Sequence, residues 1–194
     1  MLQLQVQHQE TYSRLHLLLR TFFGAFYIFI PHLFVLLFVL LWSKILWIYA
    51  TFYILITGRY PHKVWDFQMG VMDWLARLHL SSYNLRDEYP QFGVNKQVDY
   101  LTIAAPYNET PSRISVLLRF IFISIMILPH VLVWMFRNIW SGILTFLAFW
   151  VVLFTGKYPE NWFHFNIGTL RWVMRLMAYQ HYIFDQYPPF TGKE

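Results

Sequence analysis

Apolar residues gather in two long blocks, Leu15 to Ile56 and Ile114 to Phe154, interrupted mainly by Arg20, Lys44, Arg119 and Arg137. The 37 residues from Thr21 to Thr57 would span ~55 Å as one helix, against a bilayer hydrocarbon core of ~30 Å. A break is therefore expected at Trp42-Ser43-Lys44, and at 137–142 in the second block. Each block then becomes a membrane helical hairpin, with arms 15–41 and 45–58, then 112–136 and 143–156. The second arms hold only about 12 uninterrupted apolar residues, short for a crossing that needs ~17–25. A different pattern follows each block, predicting a helix over roughly 62–84 and 160–182. In the first copy Val64, Trp65, Phe67, Val71, Met72, Leu75 and Leu78 make a broad apolar face. Lys63, Asp66, Gly70, Asp73 and Arg77 make a narrow polar stripe. Such an amphipathic helix suits the membrane interface or the underside of a hairpin. Before each block the period drops to two. Leu2, Leu4 and Val6 alternate with Gln3, Gln5 and Gln7, and Leu101, Ile103 and Ala105 take the equivalent places. These are short strands, and their backbone groups need partners. They are expected to pair with each other or with a partner chain, outside the membrane.

The pattern is a duplication. From Thr57 to Phe92, 13 of 36 positions are identical to those 98 residues later, without a gap. Thr57-Gly58-Arg59-Tyr60-Pro61 matches Thr155-Gly156-Lys157-Tyr158-Pro159, and Asp87-Glu88-Tyr89-Pro90-Gln91-Phe92 matches Asp185-Gln186-Tyr187-Pro188-Pro189-Phe190. Nearer the start the offset is 99, as in Glu10-Thr11 and Glu109-Thr110. Two tandem repeats follow, 1–94 and 95–194. In each, glycine suits a helix C-terminal cap and the proline after it suits the next first turn. Thr110 with Pro111 reads as an N-cap followed by the first helical position.

Composition sets the class. Apolar residues are 57% and charged residues 13%, where soluble domains carry roughly 25% charged. The expected fold class is an all-α integral membrane protein of two tandem repeats, each a short strand, a membrane helical hairpin and an amphipathic interfacial helix. The first residues lack the basic start and apolar core of a signal peptide. No cysteine is present, which excludes disulfides and thiol chemistry. The net charge of +5 reads as basic residues at a lipid interface rather than a nucleic-acid surface. With two hairpins, 13 of the 15 Lys and Arg residues fall on one side. That bias would make the chain multi-pass with both termini cytoplasmic.

Chemistry has two candidate sets. His32 and His130 follow Pro31 and Pro129 inside the apolar blocks, where an ionisable group is expensive. Either they bind a tetrapyrrole (haem or a chlorophyll-type pigment) or relay protons, or each bonds a carbonyl that its neighbouring proline leaves open. Otherwise no cofactor is implied. The charged set recurs in both copies: Arg77 with Asp87, and Arg175 with Asp185, read as ion pairs closing helix onto turn. Arg171 and Arg175, one helical turn apart, could alternatively hold a lipid phosphate. Asp73 and Arg171 are repeat mates of opposite charge and could bridge. No metal cluster, nucleophile–base pair or phosphate loop is visible, so no enzyme is expected.

Pro31-His32 and Pro129-His130, the two Thr-Gly-Arg/Lys-Tyr-Pro turns, Arg171-Trp172-x-x-Arg175 and Asp185-x-Tyr-Pro-Pro-Phe together resemble a bacterial membrane-protein family known only as a domain of unknown function. The resemblance covers both repeats. The first departs from it at Asp73 and Gln91, where the family carries Arg and Pro. It implies the bacterial inner membrane and no assigned activity. The expected role is an accessory or scaffold subunit that contacts lipids and other membrane protein subunits. The alternatives are a membrane-shaping or lipid-binding hairpin protein, or tetrapyrrole binding through the two histidines.

Overall fold

The computed structural model describes residues 1–193. The helical breaks expected at Ser43-Lys44 and at 137–142 do not occur. Arg14–Thr57 is one continuous helical run and Arg113–Thr155 another, each about 65 Å long at 1.5 Å per residue. Neither interruption contains proline. Ser43 instead donates to Gln68 Oε1 at 2.6 Å, and Ser141 donates to Asn166 Oδ1. What looked like a turn is the place where each long helix is tied to the helix that follows it.

Those following helices, His62–Ser82 and Glu160–Gln180, return along the long helix of their own repeat. Gly58 (φ 76°) and Gly156 (φ 74°) make the turns, each in the left-handed region as a C-cap whose N–H bonds to the carbonyl of Ile54 or Val152. A side chain is disfavoured there, which is why glycine stands at both. The return helices are core elements, packed against the long helices as the second of the two expected placements has it. Ala76 and Leu80, like Phe163, Leu170 and Ala178, are fully or almost fully buried. Of the broad apolar face, Val64, Val71, Met72 and Leu78 are buried in the protein, and Trp65, Phe67 and Leu75 are half-buried.

The two repeats run in opposite directions. The guanidinium of Arg14 reaches the carbonyl of Phe154 at 3.0 Å, and that of Arg113 reaches Ile56 at 3.2 Å. The start of each long helix thus lies at the end of the other, and a pseudo-twofold axis relates the halves. The strands pair with each other, β1 (Gln3–Val6) antiparallel to β2 (Leu101–Ala104), with Leu4 opposite Ile103. β1 packs on the return helix of the second repeat and β2 on that of the first. The result is layered: sheet, the two return helices side by side, then the two long helices.

One residue separates the halves in length. Arg20 and His32 are 12 apart, their mates Arg119 and His130 only 11. Between the first pair, Ala25–Phe29 is a π-helix. That form holds one extra residue in a helical run, so the face presented before it is restored after it. The second N-cap is Ser112, not Thr110, since the Ser112 side chain accepts the N–H of Ser115, as Ser13 accepts that of His16.

Candidate functional site

The motif residues converge on two equivalent clusters. Trp74 Nε1 donates to His32 Nδ1 at 2.8 Å and Trp172 Nε1 donates to His130 Nδ1 at 3.0 Å. Phe92 stacks on His32 at 3.7 Å and Phe190 on His130 at 3.8 Å between ring centroids. An indole N–H can only donate, so Nδ1 is the acceptor and each imidazole is neutral with its proton on Nε2. Both Nε2 atoms are buried, with no hydrogen-bond partner among the described residues. The carbonyls near the prolines are served by other groups: the hydroxyl of Tyr89 donates to Tyr27, four residues before Pro31, and that of Tyr187 donates to Met126. The reading in which each histidine bonds a carbonyl freed by its proline is thereby replaced. The histidines are tied to the return helices, their faces are covered, and no group of three or more His, Cys, Asp or Glu that could hold a metal lies among the described residues.

The ion pairs are re-partnered. Arg77 pairs with Asp73, four residues back, at 2.8 Å, and donates to the carbonyl of Gly93 at 2.7 Å. Asp87 pairs instead with Arg20 at 3.1 Å and accepts the Ser13 N–H at 2.6 Å. Asp185 likewise pairs with Arg119 rather than Arg175 and accepts the Ser112 N–H at 3.0 Å. Each aspartate therefore caps the long helix of its own repeat while neutralising an arginine about two turns into it. An acid at a helix N-terminus also meets the positive end of the helix dipole. Arg20 and Arg119 are the residues that sequence reasoning passed over as mere interruptions of apolar runs. Their signal was recurrence at an offset of 99 with an aspartate mate in each repeat.

Arg171 and Arg175 are buried. Arg171 donates to the carbonyls of Leu4 at 2.9 Å and Gly192 at 2.7 Å; Arg175 donates to those of Leu2 at 3.3 Å and Lys193 at 2.7 Å. They clamp strand β1 and the C-terminal segment onto the second return helix. Asp73 is held by Arg77, not by Arg171. Glycine permits the close approach beneath: a Cβ on Gly168 would stand 3.2 Å from the Gly192 carbonyl oxygen, and one on Gly70 would collide with Val94. Outside the long helices, burial lowers His79 and His181 to about 4 and lifts Tyr158 to about 12.

These features define a mostly helical protein of two repeats with two helices long and apolar enough to cross a membrane. Residues 14–93 and 113–192 each match the model of a domain of unknown function (DUF4389). The chain belongs to that family and carries two tandem copies of its domain. No curated protein and no solved structure matches it.

Proposed function

We propose that the chain is a non-catalytic membrane scaffold lying along one leaflet, an accessory surface for lipids and neighbouring membrane subunits. The observation that carries this reading is the lipid-like exterior of the long helices. Phe22, Phe34, Phe38, Phe136, Phe146 and Phe154 are each more than half exposed. The polar groups Arg20, His32, Ser43, Arg119, His130 and Ser141 face inward along one narrow stripe. Water would make such an exterior an aggregation liability; hydrocarbon makes it neutral.

Orientation follows from length and charge. A helix of about 65 Å exceeds a core of about 30 Å twofold. Standing upright, it would put Arg137, near the middle of its helix, at the bilayer centre at a cost of roughly 2.5–3.5 kcal/mol. Antiparallel repeats also divide the basic residues between both ends, so no positive-inside bias favours a crossing. Lying in the plane, the long helices immerse their apolar surface and the sheet faces water with Gln3, Gln5 and Thr102.

Absence of cysteine makes each introduced thiol unique. Arg59→Cys lies at one end of the long-helix pair and Lys157→Cys at the other. In sealed vesicles a membrane-impermeant maleimide should label both from the same side. Labelling from opposite sides would replace the in-plane arrangement with a crossing one. The scaffold role itself is tested by mild detergent extraction from native membrane. Recovery with other membrane proteins supports it, and a solitary chain under every extraction opposes it.

A further inference from the structure

Pseudo-symmetry makes the two halves comparable position by position, and at one position they differ in a way that leaves a hole. A cavity of ≈ 740 Å³ lies between the start of the first long helix, the end of the first return helix and the last third of the second long helix. Its polar end is made by Ser81, Asn84 and Thr145; its apolar end by Phe22, Phe149 and Trp150. The volume is that of a small-molecule site, and so is the mixture of apolar wall with few polar groups.

The equivalent place in the other half is filled. Where the cavity has Ser81, Asn84 and Thr145, the repeat mates are Tyr179, Tyr182 and Trp47. Trp47 packs against Phe120 at 5.3 Å and stacks with Tyr182 at 6.1 Å between centroids. Its Nε1 donates to the Gln180 carbonyl at 2.9 Å, and Thr51 Oγ1 meets the Tyr182 hydroxyl at 2.9 Å. Arg119 lies over the rings of Tyr179 and Tyr182. Tyr182 is completely buried although its φ is 62°, a conformation that suits asparagine and strains a bulky residue. Its mate Asn84 has φ 53°. The filled chamber, drawn from both repeats, thus accepts backbone strain for a plug; the open chamber has small polar residues in place of the plug.

Thr145 is satisfied, donating to the Ser141 carbonyl at 2.9 Å, but among the described residues the other two have polar atoms that are not. Ser81, 2% exposed, has an Oγ with no hydrogen-bond partner, and so has the buried Oδ1 of Asn84. Buried polar atoms without partners are uncommon and call for a reason. Charge narrows the class of ligand. The one cation on the wall, Arg20, is already held by the Arg86 carbonyl and Asp87, so an anionic headgroup finds no uncommitted partner. The apolar mouth opens among lipid-facing side chains: Phe22, Phe146 and Trp150 are 65%, 63% and 46% exposed.

We propose that this cavity binds one neutral single-chain lipid with a diol headgroup, its acyl chain against Phe22, Phe149 and Trp150, one headgroup hydroxyl donating to Asn84 Oδ1 and the other bonding to Ser81 Oγ. The cavity does not depend on whether the long helices lie along or across the bilayer. The full chain in lipid nanodiscs is titrated with dibrominated mono-oleoylglycerol, and quenching of Trp150 is isolated by difference from Trp150→Phe. Saturable quenching is expected. Dibrominated methyl oleate, which lacks the hydroxyls, should bind about tenfold more weakly, the value of one hydrogen bond to a buried partner, and a brominated lysophosphatidic acid, whose phosphate finds no free cation, no better than mono-oleoylglycerol. Ser81→Tyr with Asn84→Tyr, which copies the plug, should abolish the saturable part. If that variant does not fold, Ser81→Ala decides: it should weaken mono-oleoylglycerol severalfold and leave methyl oleate unchanged. Quenching that rises without saturation, equal binding of methyl oleate, preference for the phosphate lipid, or indifference to Ser81→Ala would each overturn the proposal.

Discussion

Trp74 and Trp172 each donate a hydrogen bond to a buried imidazole. Replacing either by Phe keeps an aromatic ring and removes the donor. Each change should lower the unfolding free energy by about 1–3 kcal/mol, the cost of stranding a buried acceptor. Because the two clusters are separate, the double variant should show the sum, read from thermal unfolding in detergent. The aspartates carry more. Asp185→Ala leaves Arg119, whose side chain is 0% exposed while that of Asp185 is 34% exposed, without its counter-charge, and a loss of about 1.5–3 kcal/mol is expected for a charged hydrogen bond so broken. A pH effect belongs to this scale as well. Burial holds His181 at about 4 against an ordinary 6.5. Between those values the unfolded chain takes up a proton that the folded chain refuses, so stability falls as pH drops through 6.5 towards 4 and is unaffected above. His181→Gln should flatten part of that slope in unfolding curves measured at successive pH values.

At the scale of elements, the repeat, the strand pair, the glycine-capped turns and the return helices were legible, because they rest on periodicity, glycine and local matching. The hairpins were misjudged for a physical reason. Polar residues within an apolar run end a helix only if nothing else receives them, and here Gln68 and Asn166, 25 residues on, receive Ser43 and Ser141. The aspartate partners were misassigned similarly: Arg77 and Arg175 lie nearer in sequence to the aspartates, but Arg20 and Arg119 are brought to them when the chain folds back. The one-residue change of offset was visible as a number and became a π-helix only in three dimensions. It yields a clean test. Deleting Phe26 should return the segment to α-helix in the register of the second repeat and cost little. Deleting Val39, beyond the π segment, should rotate Ser43 about 100° off its face, break its bond to Gln68 and lower the unfolding temperature markedly.

For the molecule as a whole, the halves complete one another. The Tyr12 N–H bonds to the Gly156 carbonyl, the Tyr60 N–H to that of Glu109, and the Tyr60 hydroxyl to that of His181, all across the pseudo-twofold axis. Segments 1–94 and 95–194 made as separate chains in one cell should therefore copurify as a complex, detected with a tag on one half only. The same crossing bonds carry a historical consequence. A chain with one repeat could satisfy them only by meeting its own twin, and every substitution would then appear on both sides at once. Joining two copies end to end released that constraint. Each chamber is built from both repeats, so one could come to hold Trp47 of the first with Tyr179 and Tyr182 of the second while the other holds Thr145 of the second with Ser81 and Asn84 of the first. Covalent fusion let two obligatorily identical chambers become one filled and one open.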